Sequence, residues 1–281
     1  MSLGILTNVA ATYAQNNLNQ TQGSLQTVLQ QLSSGSRINS GADDAAGLSV
    51  ADGLHANVAA LTQSAQNAQN GVGLLQTADG ALSQVTNLLN RATTLATEAM
   101  NGGLTTAQTT AANTEFQSIV TEIGNIGTAT NFNSSPVFSA TTTNFVVTDG
   151  TASGTTTIAA TIGALTTGSV GTATGGGAGA SLTGLTLVTG AAAALAAVNS
   201  AVTDVSNQRG AIGANINQLK AAANVASTES VNLSSAESSI RSTNYGQATS
   251  DLAKFQVLSQ TGISALAQAN SVQQEILKLL Q

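Results

Sequence analysis

Few side chains in this 281-residue sequence could perform chemistry, and their spacing decides what they can do. The adjacent carboxylates Asp43 and Asp44 could form an acid/base couple. They stand directly before a long apolar-periodic segment, where Asp43, Asp44 and Ser40 can instead cap a helix by accepting its free backbone N–H groups. His55 is the only histidine, and there is no cysteine. One imidazole without thiolates assembles no metal site, and disulfides and cysteine nucleophiles are excluded. His55 reads as an exposed or partner-facing helix residue. Gly175-Gly176-Gly177 lacks the Lys-Ser/Thr that completes a phosphate loop, and no nucleophile elbow occurs. The sequence therefore predicts no catalytic residue, no cofactor and no metal.

Composition points to a structural role. Only 7% of residues are charged and 2% aromatic, while hydrophobic content is 42% and rich in alanine. Small side chains let helices approach closely, but each buries little area, so such a chain relies on long surfaces or on other copies of itself. The net charge is -6, and no Lys/Arg cluster occurs. Nucleic acid and anionic membrane surfaces are therefore not expected partners. The segment Met1-Ser2-Leu3-Gly4-Ile5-Leu6-Thr7-Asn8 has no basic region followed by an apolar core, so no cleavable signal is expected. The longest unbroken apolar run, Ala191 to Val198, is too short to cross a bilayer. By these signals alone the chain reads as cytoplasmic.

The elements that must position these residues are mostly helical. Residues 5–34 form a first arm with Leu18, Leu25, Leu29 and Leu32 at helical spacing, stopped at Gly35-Ser36. A turn-rich joint follows at 36–43. A seam then steps by three and four from Val58 through Leu61, Ala68, Leu75, Leu82, Leu89 and Leu95 to Ala99, spanning roughly 60 Å. Gly71, Gly73 and Gly80 interrupt it, and each needs close packing or a tolerated bend. Asn101-Gly102-Gly103 breaks the helix. A shorter helix at about 105–127, with Phe116, Ile119, Ile123 and Ile126 on one face, folds back on the long one. Residues 128–190 are rich in Gly, Thr, Ser and Ala. There Phe145-Val146-Val147, Thr155 to Ile158 and Leu185 to Val188 read as short strands or a hairpin, with Gly175-Gly176-Gly177 as a flexible tip. A second seam runs from Leu195 to Ile240. Arg209 and Glu237 interrupt it, either snorkelling to solvent or setting register or mating with another chain. After a joint at Tyr245-Gly246, a last arm at about 247–281 carries Leu252, Phe255, Leu258, Leu266, Ile276 and Leu280 on one face. Two apolar half-stripes at opposite chain ends satisfy each other only by pairing, and so lightly charged a pair still leaves apolar surface exposed. Self-association follows from the pattern alone.

The segment Leu32-Ser33-Ser34-Gly35-Ser36-Arg37-Ile38-Asn39-Ser40-Gly41-Ala42-Asp43-Asp44-Ala45-Ala46-Gly47 resembles the N-terminal signature of bacterial flagellins. So do Gln15-Asn16-Asn17-Leu18-Asn19 and Gln76-Thr77-Ala78-Asp79-Gly80-Ala81-Leu82. Leu266-Ala267-Gln268-Ala269-Asn270 and Ile276-Leu277-Lys278-Leu279-Leu280 are similar to the C-terminus of that family. The resemblance covers roughly 1–137 and 190–281.

It implies a mainly α fold: a long antiparallel, coiled-coil-like helical bundle formed by the N- and C-terminal segments, with a small β-rich central insert. Inner-core terminal helices (1–42 and 239–281), a helical shell (43–135 and 190–238) and a short outward insert (136–189) are expected. The implied function is a structural subunit of the flagellar filament used for swimming, with a hook-filament junction protein as the alternative. The implied location is extracellular, after export through the flagellar channel without signal cleavage. Implied partners are further copies of the chain, an export chaperone, and cap and hook-junction proteins. A host toll-like receptor is a further implied partner, through Arg91, Leu95 and Glu115, although Thr93 and Thr94 stand where the recognised pattern carries Arg and Glu. The chain departs from the family at Gln273, where many relatives have proline, at Gln281, where Arg is common, and at Gly41-Ala42, which lacks a frequent lysine. None of these removes an apolar stripe.

Overall fold

The structure, a computed structural model, describes residues 8–151, 156–172 and 178–279. Five helices carry it: α1 (Val9–Ser34), α2 (Ala45–Ala99), α3 (Thr106–Ala129), α4 (Leu187–Arg241) and α5 (Tyr245–Leu279). Between α3 and α4 lie short strands β1 (Asn131–Phe132), β2 (Ser135–Pro136), β3 (Thr142–Val147), β4 (Thr156–Thr161), β5 (Leu165–Thr166), β6 (Ser169–Thr172) and β7 (Ala178–Ala180). The chain divides into two compact units, one of residues 1–56 and 232–281 and one of residues 57–231. The fold is mainly α with a small strand-bearing centre, as the residue pattern implies.

In the first unit α1 and α5 pair antiparallel. Near the joint, Thr243 Oγ1 donates to Gln31 O at 3.3 Å; at the far end, Asn8 Nδ2 donates to Ala269 O at 2.9 Å. Midway, Gly262 faces Leu18, whose Cδ1 would lie 3.3 Å from an added Cβ, so the small residue permits close approach. Asn8 caps α1 by accepting from Ala11 N at 3.0 Å. Gly35 ends it in the left-handed conformation (φ 71°), with its N–H on Gln31 O. Any L side chain is strained there, and a Cβ would also meet the Tyr245 hydroxyl at 2.9 Å.

The two joints hold each other. Arg37 N donates to Arg241 O at 2.6 Å, Thr243 N to Gly35 O at 3.0 Å and Arg37 Nη2 to Ile240 O at 2.7 Å. Of the three candidate caps, only Asp44 caps α2, accepting from Gly47 N at 2.9 Å. Asp43 closes the preceding loop instead, accepting from Asn39 N at 3.0 Å and from Ser40 N at 2.8 Å. Ser40 is a donor to that carboxylate, not a cap.

In the second unit the α2 seam packs as its spacing requires: Leu61, Ala68, Leu75, Ala78, Leu82, Val85, Leu89, Ala92 and Leu95 are all buried. From α4 come Val198, Val205, Ile212, Leu219 and Ala226, and from α3 Phe116, Ile119 and Ile123. Thr105 starts α3 with a capping box closed by Gln108. The β3–β4 hairpin pairs Phe145 with Ile158, and β5, β6 and β7 form a three-stranded sheet. Ser64, buried on α2, anchors the hairpin by donating to Thr148 O at 2.6 Å and accepting from Thr148 N at 2.8 Å. Leu185 to Val188 is not a strand. Asn113 Oδ1 accepts from Leu187 N at 2.8 Å and from Thr186 Oγ1 at 3.2 Å, so a contact from α3 holds this β-prone segment at a short helical turn, which a kink at Gly190 (φ -147°, ψ 36°) separates from the main run of α4. Thr155 and Gly175-Gly176-Gly177 lie outside the described residues.

The three helical glycines separate by environment. At Gly71 a Cβ would meet Phe145 Cδ1 at 2.8 Å and Leu219 Cδ1 at 3.0 Å; at Gly73 only ordinary contact with Phe132 arises; at Gly80 nothing lies within 4 Å. Gly80→Ala should therefore raise stability by up to about 1 kcal/mol through helix propensity. Gly71→Ala should lower it by about 1–3 kcal/mol through overpacking. Urea midpoints of the two variants check the opposite signs.

Candidate functional site

The arm residues singled out by spacing do not all face inward. Leu18, Leu25 and Leu32 on α1, and Leu252, Phe255 and Leu266 on α5, are half-buried in the α1–α5 pair. Leu29 is 47% exposed, and the buried place beside it belongs to Val28. Leu258 is 43% exposed and its neighbour Val257 65%. Ile276 lies within α5, but its side chain is not among those described, and Leu280 lies outside the described residues. Val9, Tyr13, Ile263 and Val272 are also exposed. A single-stripe reading misses these, because it assigns each helix one apolar face. Their apolar type on an otherwise polar surface is the signal that could have found them.

Each arm thus has two apolar surfaces. One is used inside the chain and the other is open. Lys254 flanks the open surface on α5, with its ammonium 5.6 Å from the Phe255 ring centroid. The loop that follows α1 is closed by a carboxylate. The Asn39 amide first, then the Ser40 amide and hydroxyl, hold the Asp43 carboxyl below its ordinary 3.8. A lowered carboxyl adds stability above its unfolded pKa, and that stability is lost as pH falls through the folded one. The loop should stay closed at neutral pH and open only below 3.8, toward the lowered value. The amide resonances of Asn39 and Ser40 should then titrate together, and Asp43→Ala should remove that titration.

The charges inside the seams find partners within the chain. Arg209 Nε donates to Asp79 Oδ1 at 2.8 Å, which ties α4 to α2 and raises the Arg209 pKa. Both side chains stay part-exposed, so Arg209 reaches the solvent-facing edge of the seam while pairing with Asp79. Glu237 lies 3.6 Å from Arg241 Nη1 and 3.3 Å from His55 Nδ1, and Arg241 also approaches Asp52 at 3.6 Å. Two acidic residues, a single imidazole and an arginine make a charge network rather than a metal site, and among the described residues no group of three or more possible ligands occurs. One window of α4 reaches a mean hydropathy of 1.3, long and apolar enough to cross a membrane by length and composition. Leu187, Val198, Val205, Ile212 and Leu219 of α4 are buried in the core of the second unit, while Val188 and Val225 are exposed.

The residues suggested for a host receptor divide. Arg91 and Glu115 are exposed and bind each other in a bidentate pair, Nε to Oε1 at 2.7 Å and Nη2 to Oε2 at 2.9 Å. Leu95 is 2% exposed and packs in the core, so it offers no surface to a partner. It occupies a seam position, and seam membership already argued for burial.

Comparison with known proteins adds ancestry to this geometry. Residues 5–143 match the model of the bacterial flagellin N-terminal helical region, and residues 195–280 that of the bacterial flagellin C-terminal helical region. The flagellin of Bacillus subtilis (strain 168) is 31% identical over 97% of this chain and 98% of its own length. The flagellar filament 30.7 kDa core protein of Treponema maltophilum is 32% identical over 97% and 98%. Flagellin 1 of Proteus mirabilis is 39% identical, but the match covers 54% of this chain and 41% of that protein. A crystal structure of Bacillus cereus flagellin aligns with a TM-score of 0.45 at 27% identity, over 57% of this chain and 88% of that one.

Proposed function

The chain belongs to the bacterial flagellin family and is a structural subunit of the flagellar filament, and from that premise we propose that the open apolar surface of the α1–α5 pair is where one subunit binds the next. The observation that carries this reading is the exposure of Leu29, Val257 and Leu258 on helices whose other faces are already satisfied within the chain. Apolar side chains left on a completed helix pair favour a second partner, and in a homopolymer that partner is another copy.

On this reading residues 1–42 and 239–281 form the inner core, 43–135 and 190–238 the shell, and 136–189 the outward insert. The subunit leaves the cell through the flagellar channel with an export chaperone on its C-terminal arm, and then meets the cap and hook-junction proteins. A host toll-like receptor, if it engages this subunit, meets the exposed Arg91–Glu115 pair and neither of the charges that Thr93 and Thr94 replace. Loss of two charges at a polar interface weakens binding, so a reporter-cell assay with monomer should give a reduced response.

Polymerisation of the purified protein, imaged by electron microscopy, tests the assembly reading. Seeds or precipitant should yield tubular filaments. Removal of residues 247–281 should abolish them and leave the second unit folded. Filaments formed without that arm would refute the role given to it.

A further inference from the structure

The dipeptide Asn-Gly occurs twice in this chain, at Asn70-Gly71 and Asn101-Gly102, in two opposed settings. Asn70-Gly71 lies inside α2, where Gly71 is buried against Phe145 and Leu219 and its N–H belongs to the helical ladder. Asn101-Gly102 lies in the exposed connection between α2 and α3. There Asn101 N donates to Glu98 O at 2.9 Å, and Asn101 O accepts from Leu104 N at 3.2 Å. The side chain folds back over the turn, and its Oδ1 accepts from Gly103 N at 3.2 Å. The main chain of Asn101 is thereby held at both ends, while the Gly102 N–H takes part in none of the turn's hydrogen bonds.

From this arrangement we propose that Asn101 is a site of spontaneous covalent modification, converting to aspartate and isoaspartate through a cyclic imide. The Gly102 nitrogen gives its proton to solvent base and bonds to Cγ of Asn101. The bond from Cγ to Nδ2 breaks, and that nitrogen leaves as ammonia. Water then opens the five-membered ring at either carbonyl, leaving aspartate or its isomer; the net change is one water consumed and one ammonia released. Three features of the turn favour the step. Gly102 has no side chain to block the approach of its nitrogen. The Gly103 N–H is already on the oxygen where negative charge develops. The turn is exposed, so base and water reach it. The same chemistry at Asn70 requires α2 to open first.

The product changes the place where it forms. A new carboxylate appears just beyond the C-terminal end of α2, beside Glu98, where the helix dipole disfavours negative charge. The isomer also inserts an extra main-chain carbon into a connection whose hydrogen bonds fit the normal length.

The full-length protein, held folded at mildly alkaline pH and digested at intervals, provides the test. Mass spectrometry reads the replacement of amide NH2 by OH in the two peptides, and isoaspartate methyltransferase labelling identifies the isomer. Asn101 should convert faster than Asn70 by on the order of tenfold or more, and the two rates should converge in denaturant. Gly102→Ala should slow Asn101 sharply without disturbing the fold, since Gly102 is outside the left-handed region and a Cβ there meets nothing within 4 Å. Equal rates in the folded protein, or an unchanged rate in Gly102→Ala, would overturn the proposal.

Discussion

A subunit carrying Leu29→Asp, Val257→Asp and Leu258→Asp should fold and pair its arms, yet fail to polymerise at concentrations where the parent chain forms filaments. The three side chains are exposed on α1 and α5, so within one chain they contribute little to the core. The cost to the isolated helices is a propensity loss of about 0.5 kcal/mol or less per site. In a filament, each aliphatic group buried by a neighbour contributes about 1.5–3 kcal/mol, and an aspartate there must also lose its hydration. Losing two or three such contacts raises the critical concentration by on the order of a hundredfold or more. Sedimentation across a concentration series measures that change, and circular dichroism checks that helix content is kept. Gln30→Asp, at an exposed polar position on α1, reads the effect of a single added charge. If the triple variant polymerises at the parent's critical concentration, the open arm surface is not the contact.

Phe116→Ala should be the most damaging single truncation in the second unit, while Glu115→Gln beside it should be nearly silent. Phe116 is fully buried among the α2, α3 and α4 rows, in a chain with only five phenylalanines and no tryptophan. Removing its ring leaves a cavity in the packed core, a loss of about 3–5 kcal/mol. Glu115 is solvent-exposed. Its hydrogen bonds from Arg91 hold its carboxyl below the ordinary range, so its contribution is present at neutral pH and lost as pH falls through the lowered value. Solvent screens such a pair strongly. Urea titration at neutral pH should show a large drop in midpoint for Phe116→Ala and almost none for Glu115→Gln. A reversed order would mean that the exposed ion pair, rather than aromatic burial, holds α3 to α2.

The burial of Phe116 was legible from its spacing with Ile119 and Ile123. The two surfaces of the arms were not, because four leucines at helical spacing define a stripe wider than one row. The pairing of α1 with α5 then decides that Val28 turns inward and Leu29 outward. The same limit explains Asp204 and Gln208, buried polar residues that no apolar pattern marks. Asp204 is legible only once β7 is in place, since its Oδ2 accepts from Ala180 N at 2.9 Å.

The sequence by itself determined the helical nature of both ends, their seams and the stops at Gly35 and Asn101, and its end motifs carry the family resemblance. The helices and their stops follow from local rules: a repeat of 3.6 residues and a glycine where φ is positive. Tertiary structure alone decided which aspartate caps α2, that Leu185 to Val188 opens a helix, that Arg209 answers to Asp79, and that Gly71 is crowded while Gly80 is free. Apart from the choice of cap, each of these depends on a group far away in sequence. A side chain's local pattern sets which way it can point, but not what it will meet there.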